Sequence, residues 1–195
     1  YSDEGVNVVT TAKTINIAVG TTTTSVSATS TLATGAWAYN FVNTSMATAT
    51  PVTIWVDGDA SFRASLFTKA SSSVNNITGL DLYQDRVIVS HEGTSGTSTT
   101  ISDMSFYDND NDGDIQYSAA TTTNTLTVFS NQELHVKTGT PFAPGGNATS
   151  NANASTTSQT DGNFHIANSA TYTAGGMTKL GGNFMASSSA TFTPG

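Results

Sequence analysis

GNFHIANSATYTAG (162–175) and GNFMASSSATFTPG (182–195) are two copies of one pattern, the second opening at Gly182 as the first opens at Gly162. Eight of their fourteen aligned positions are identical, and Tyr172 stands against Phe192 as an exchange of one aromatic ring for another. A weaker copy, QELHVKTGTPFAPG (132–145), precedes them at a longer spacing. Aligned, the copies form columns: Leu134, Phe164 and Phe184; then Val136, Ile166 and Ala186; then Phe142, Tyr172 and Phe192. Gly145, Gly175 and Gly195 close the three copies. Side chains at i and i+2 share one face of a strand. Each copy therefore reads as two short strands joined by a small-residue turn (KTG, ANS or SSS). One copy cannot bury such a face alone, whereas copies stacked about 4.8 Å apart build continuous aliphatic and aromatic ladders. Self-similarity at a short fixed period, the spacing of Gly162 and Gly182, is the mark of stacked supersecondary units. The recurrent glycine suits a corner with positive φ. The Gly/Asn/Ser-rich stretch 145–161 reads as a loop inserted into one unit, which accounts for the longer first spacing. The competing reading is a hairpin meander in a sandwich.

Outside the repeats the same strand signal continues in short runs. Val6/Val8 and Ile15/Ile17/Val19 alternate, and AWAYNF (36–41) sets Trp37, Tyr39 and Phe41 on one face. VTIWV (52–56), a turn at Asp57-Gly58, and ASFRASLF (60–67) read as an aromatic-rich hairpin that forms the core of the N-terminal part. Leu80/Leu82, Val87/Val89 and TNTLTVFS (123–130) predict further strands, with polar loops at 71–79 and 91–100. The fold class is all-β. Residues 1–122 form a sandwich-like or irregular strand region carrying an acidic loop, and 123–195 form a short β-solenoid of at least three rungs.

The fragment NF-x4-SAT[YF]T-x-G resembles rungs of the repeat-rich β-solenoid surface proteins of bacteria, the adhesin-like giants built on GNF…SGTFTAG repeats. The resemblance covers residues 132–195; elsewhere it is one of composition. It implies secretion, a fibrous or cell-surface setting and no enzymatic role.

Composition narrows the function classes. The net charge is −8, and only 10% of residues are charged, against an average of about 25%. Six Lys or Arg in the whole chain supply no basic stripe for phosphates or for an anionic membrane surface. Cysteine is absent, so disulfide and thiol chemistry are excluded. No apolar run reaches the length of a transmembrane helix. The Thr/Ser/Asn bias and scarce Lys suit an extracellular or cell-surface protein. The opening Tyr-Ser-Asp-Glu reads as that of a mature or excised segment.

DNDNDGDI (108–115) is the sharpest local motif. Asp108, Asp110 and Asp112 hold positions 1, 3 and 5 of an EF-hand-type loop, Gly113 position 6, and Asp114 position 7. Position 12 is Ala119 rather than Glu, so the last ligand has to come from elsewhere, and Asp103 is the candidate donor. The five carboxylates from Asp103 to Asp114 repel one another unless a cation compensates them, which makes calcium the expected cofactor. The plainer reading is an acidic turn whose Asx side chains satisfy local backbone. Asp57-Gly58-Asp59 is a hairpin turn before it is a second cation site. His135 and His165 share a repeat column with Met185 on the outward face, and two imidazoles are too few for a metal site; they read as an exposed stack. Ser95, in GTSG, lacks the elbow of a catalytic serine. Sequons occur at Asn43, Asn76, Asn147 and Asn153.

Two functional expectations follow. The first is a structural subunit without catalytic residues, assembling with copies of itself head to tail or by strand exchange. There the N-terminal segment (about 1–33) pairs with a neighbour's open edge. The second is an adhesin-type module of a larger secreted protein, binding surface glycans through Trp37, Tyr39 and Phe41 or through Trp55.

Overall fold

A computed structural model of the chain describes residues 8–20, 25–30, 34–40, 46–71, 76–92, 98–152 and 161–195. The strand expected at Val6, the ring of Phe41, Ser95 and the sequons at Asn43 and Asn153 lie outside them.

The described chain is all-β with a single short helix. In order it runs β1 (Thr14–Val19), β2 (Val26–Thr29), β3 (Pro51–Asp57), β4 (Ala64–Lys69), β5 (Arg86–Val89) and the one-turn α1 (Ile101–Met104). There follow β6 (Tyr117–Ala120), β7 (Thr125–Val128), β8 (Glu133–Val136), β9 (Pro141–Phe142) and β10 (Asn147–Ser150). The last five are β11 (Phe164–Ile166), β12 (Thr171–Thr173), β13 (Thr178–Leu180), β14 (Phe184–Ala186) and β15 (Thr191–Thr193). Three sheets result, ordered β14-β11-β8-β5-β4-β3-β1-β2, β13-β10-β7-β6 and β15-β12-β9.

The repeat columns are pairing registers. Leu134, Phe164 and Phe184 are parallel partners, as are Val136, Ile166 and Ala186, and Phe142, Tyr172 and Phe192 follow suit in the three-stranded sheet. Residues 145–161 hold more than an inserted loop. Asn147–Ser150 is the strand β10, in register between Thr125–Val128 and Thr178–Leu180. The first two units thus carry three strands each, and the sequence pattern reveals only two, because NATS and TKL share no apolar column. Further back, β5 pairs in parallel with β8, Thr99 bridges Phe142, and β7 pairs with β10. The same three-sided path is therefore present upstream, interrupted by α1, the acidic loop and β6.

One core fills the space between the three sheets. Trp55, Phe67, Val87, Tyr117, Leu126, Leu134, Phe142, Phe164 and Tyr172 all belong to it and are buried. Tyr172 meets Phe164 edge-on at 4.8 Å and Phe142 at a tilt at 5.6 Å, the geometry ring quadrupoles favour. A second cluster covers the other face of β1, β3, β4 and β5: Ile15, Ile17, Val52, Ile54, Leu66 and Ile88. Burial on both faces explains why VTIWV is apolar without alternation.

Local features depart from the sequence reading. Residues 36–40 form no strand although Trp37 and Tyr39 alternate, and Leu80 and Leu82 sit in irregular chain. Each segment instead packs its apolar side chains (Trp37, Leu80, Leu82) against the second cluster from outside the sheet. Ile101 and Met104 are three apart on α1, which Thr100 and Asp103 close with a reciprocal capping box; the brevity of the turn hides the helical spacing. The closing glycines do not share a positive φ either. Gly145 has φ +77°, but Gly175 is needed for close approach, since a Cβ there would lie 2.5 Å from the Gly145 carbonyl carbon. The left-handed corner falls earlier in each copy, at Gly139, Ser169 and Ser189, with φ of +73°, +57° and +61°.

Candidate metal centres

The acidic motif sits in the excursion between α1 and β6. Asp108 is buried, and its two carboxylate oxygens accept the backbone N–H groups of Asp110 (3.1 Å) and Ala119 (2.6 Å). Burial pushes its pKa up, and these two N–H groups pull against that. Asp103 is committed elsewhere: its carboxylate accepts from the Thr100 backbone and hydroxyl and pairs with the buried Lys69 ammonium at 3.1 Å. Asp112 Oδ1 accepts the Asp114 N–H, and Asp114 Oδ2 accepts the Gly58 N–H at 2.8 Å.

That last bond brings the acidic loop against the turn after β3. Among the described residues, the carboxylates that converge are Asp57, Asp112 and Asp114, each offering an oxygen within 4.8 Å of the others. Asp108, Asp110 and Asp103 are not in this group. Burial raises the Asp57 pKa, and the neighbouring charges of Asp112 and Asp114 raise it further. A group of three half-buried carboxylates of this kind is a place where a hard cation would relieve repulsion. The sequence points to the loop but does not show that Asp57, at the end of β3, completes it.

The second cluster departs from the sequence reading. Glu133 and His135 lie two apart on β8 and share its outward face, and His165 is the in-register partner of His135 on β11. Glu133 Oε1 lies 3.3 Å from His135 Nδ1 and 3.9 Å from His165 Nδ1. The imidazoles meet edge-on at 4.8 Å. The stack is not exposed: Glu133 and His135 are buried and His165 nearly so. The reason is tertiary. The chain before β5 folds over this face, setting the Tyr83 ring edge-on to His135 at 6.1 Å, and the Lys137 ammonium donates to the Gly79 carbonyl. Arg86, the register partner of Glu133, donates from Nε to Oε1 at 3.1 Å. Burial pushes Glu133 up, but the His135 hydrogen bond and the Arg86 charge outweigh it and leave the carboxyl below its usual range. The column of His135, His165 and Met185 is legible in the repeat; the carboxylate two positions before His135 is the signal it leaves out.

A third feature is a cleft of about 990 Å³ beside the second apolar cluster, with Trp37, Tyr39, Asn40, Asn76 and Asp81 on its walls. Trp55 takes no part in any such surface: it is fully buried and stacks on Tyr107 at 5.3 Å. Among the described residues no helix is long and apolar enough to cross a membrane. No family model matches the chain, and no curated protein or solved structure matches it.

Proposed function

We propose that the chain is a non-catalytic structural segment of an extracellular or cell-surface assembly. In this reading β8 to β15 are successive coils of a β-solenoid with at least three rungs, and the chain assembles with copies of itself through open β edges. The supporting observation is the edge formed by β13, β14 and β15. β13, β14 and β15 are each the edge strand of their sheet, and Met177, Phe184, Met185 and Phe192 are exposed there. Within the molecule the same columns are closed by rings 5.6 Å apart, Phe164 against Phe184 and Tyr172 against Phe192. The occupant that fits an unpaired edge bearing such rings is another strand of like pattern. The opposite edge of the largest sheet, β2, is half-exposed and has no outer partner among the described residues, which suits head-to-tail addition. β1 is paired on both sides within its own chain, so the edge offered to a neighbour is that of β2.

Sedimentation velocity over a range of concentrations tests this reading. Oligomers that dissociate in the double variant Phe184→Lys/Phe192→Lys are expected; a chain monomeric at all concentrations overturns it. Calcium has its place in the same reading, as a clip between the β3 turn and the acidic loop through Asp57, Asp112 and Asp114. Its affinity would be of the extracellular kind, on the order of 0.1–1 mM.

Glycan binding is the second reading, favoured by the cleft, where Trp37 and Tyr39 stand beside amide and carboxylate side chains. Retention on immobilised oligosaccharide that Trp37→Ala abolishes would support it.

A further inference from the structure

We infer that Glu133, His135 and His165 form a binding site for a first-row divalent transition ion of the zinc type, separate from the carboxylates at the β3 turn. Two imidazole nitrogens and one carboxylate oxygen are the donor set such ions take, and the set leaves a fourth position open. A hard ion such as Ca2+ prefers an all-oxygen cage.

The spacing fits. A tetrahedral ion with bonds of about 2.0–2.1 Å needs ligand atoms about 3.4 Å apart. Glu133 Oε1 already lies 3.3 Å and 3.9 Å from the two Nδ1 atoms, and the three donors lie within 4.8 Å of one another. Closing the set to that geometry takes side-chain adjustments of about 1 Å. No strand has to move, because the parallel register of β8 and β11 fixes the three Cα positions. The supporting contacts are those metal-bound side chains commonly make. His165 Nε2 is 2.9 Å from Ser187 Oγ, which turns Nδ1 toward Glu133, and Arg86 orients the carboxylate through Nε. Met185 follows His165 in the same register column and is partly exposed, so either its thioether or water can complete the shell.

The Arg86 guanidinium is the opposing element. It lends the site a positive charge and competes for the same oxygen, so the alternative to a metal is a closed Arg86–Glu133–His135 network that binds nothing. Co2+ separates the two, because its tetrahedral complexes absorb strongly in the visible and its octahedral ones weakly. The chelator-treated full chain is titrated with Co2+ alone and, in parallel, with Zn2+ by calorimetry.

One equivalent per chain is expected, with a tetrahedral Co2+ spectrum that Zn2+ displaces and millimolar Ca2+ does not. His165→Gln, at the least buried of the three ligands, is expected to weaken Zn2+ binding at least tenfold while keeping the wild-type circular dichroism; Asp112→Asn is expected to leave it unchanged. Absence of stoichiometric binding overturns the proposal, as does binding that survives His165→Gln. Should that variant misfold, Met185→Leu provides the second arm: with water in the fourth position its Co2+ spectrum must still be tetrahedral, and an octahedral one overturns the site.

Discussion

At the scale of single residues, Asp103 shows how a carboxylate that looks like a spare ligand can be fully occupied. It closes the α1 capping box and neutralises Lys69, whose side chain is only 3% exposed. Removing the charge takes an anionic partner from a buried ammonium and weakens a cap; buried pairs broken on one side lose about 3–5 kcal/mol. Because Asp103 is itself partly exposed, Asp103→Asn is expected to cost about 2–3 kcal/mol in urea denaturation, equally with calcium and with chelator. A loss that disappears in chelator would instead return Asp103 to the calcium site. Nothing in SDMSF announces Lys69, at the end of β4, as its partner.

Among elements, the turn and corner glycines separate two physical demands that look alike in sequence. Gly139 needs a left-handed backbone and has open space around it, whereas Gly175 needs the absence of a Cβ against the neighbouring repeat. Gly175→Ala and Gly175→Asn are therefore both expected to lose about 1–3 kcal/mol, the range for overpacking a close contact. At Gly139, Asn is expected to be better tolerated than Ala, since Asn accepts the left-handed region. Thermal melting of the four variants checks this; Ala tolerated as well as Asn at Gly139, or either residue tolerated at Gly175, contradicts it. Ser169 and Ser189 already take that left-handed conformation in the later copies.

Over the whole molecule, the acidic excess sets the response to pH. Asp57 titrates above its usual range, so its contribution favours the folded state at low pH and is lost as pH rises through its folded pKa. Asp59 works the other way. Hydrogen bonds from the Lys13 ammonium and Ser61 hold it down at about 2, and that stability is lost only as pH falls through this value. In chelator the melting temperature is accordingly expected to rise as pH falls from neutral into the upper carboxylate range. Asp57→Asn should flatten that rise and lift the neutral-pH melting temperature. With millimolar calcium the wild type should gain at neutral pH and Asp57→Asn should not. A wild-type profile without the acid-side rise would show that the three carboxylates do not repel.

Periodicity alone determined the all-β class and the registers of the last repeats, since a residue two positions along a strand must face the same side and like units must stack on themselves. β10 and β13 stayed hidden because their columns hold Ala, Ser, Thr and Leu, which announce no buried face by themselves. What only the tertiary structure decided is which polar groups meet. Asp57 and Asp112, like His135 and His165, are distant along the chain, and sheet geometry brings each pair together. Whether an outward column is wet or covered depends on a loop, the chain around Gly79 and Tyr83, that local pattern does not place.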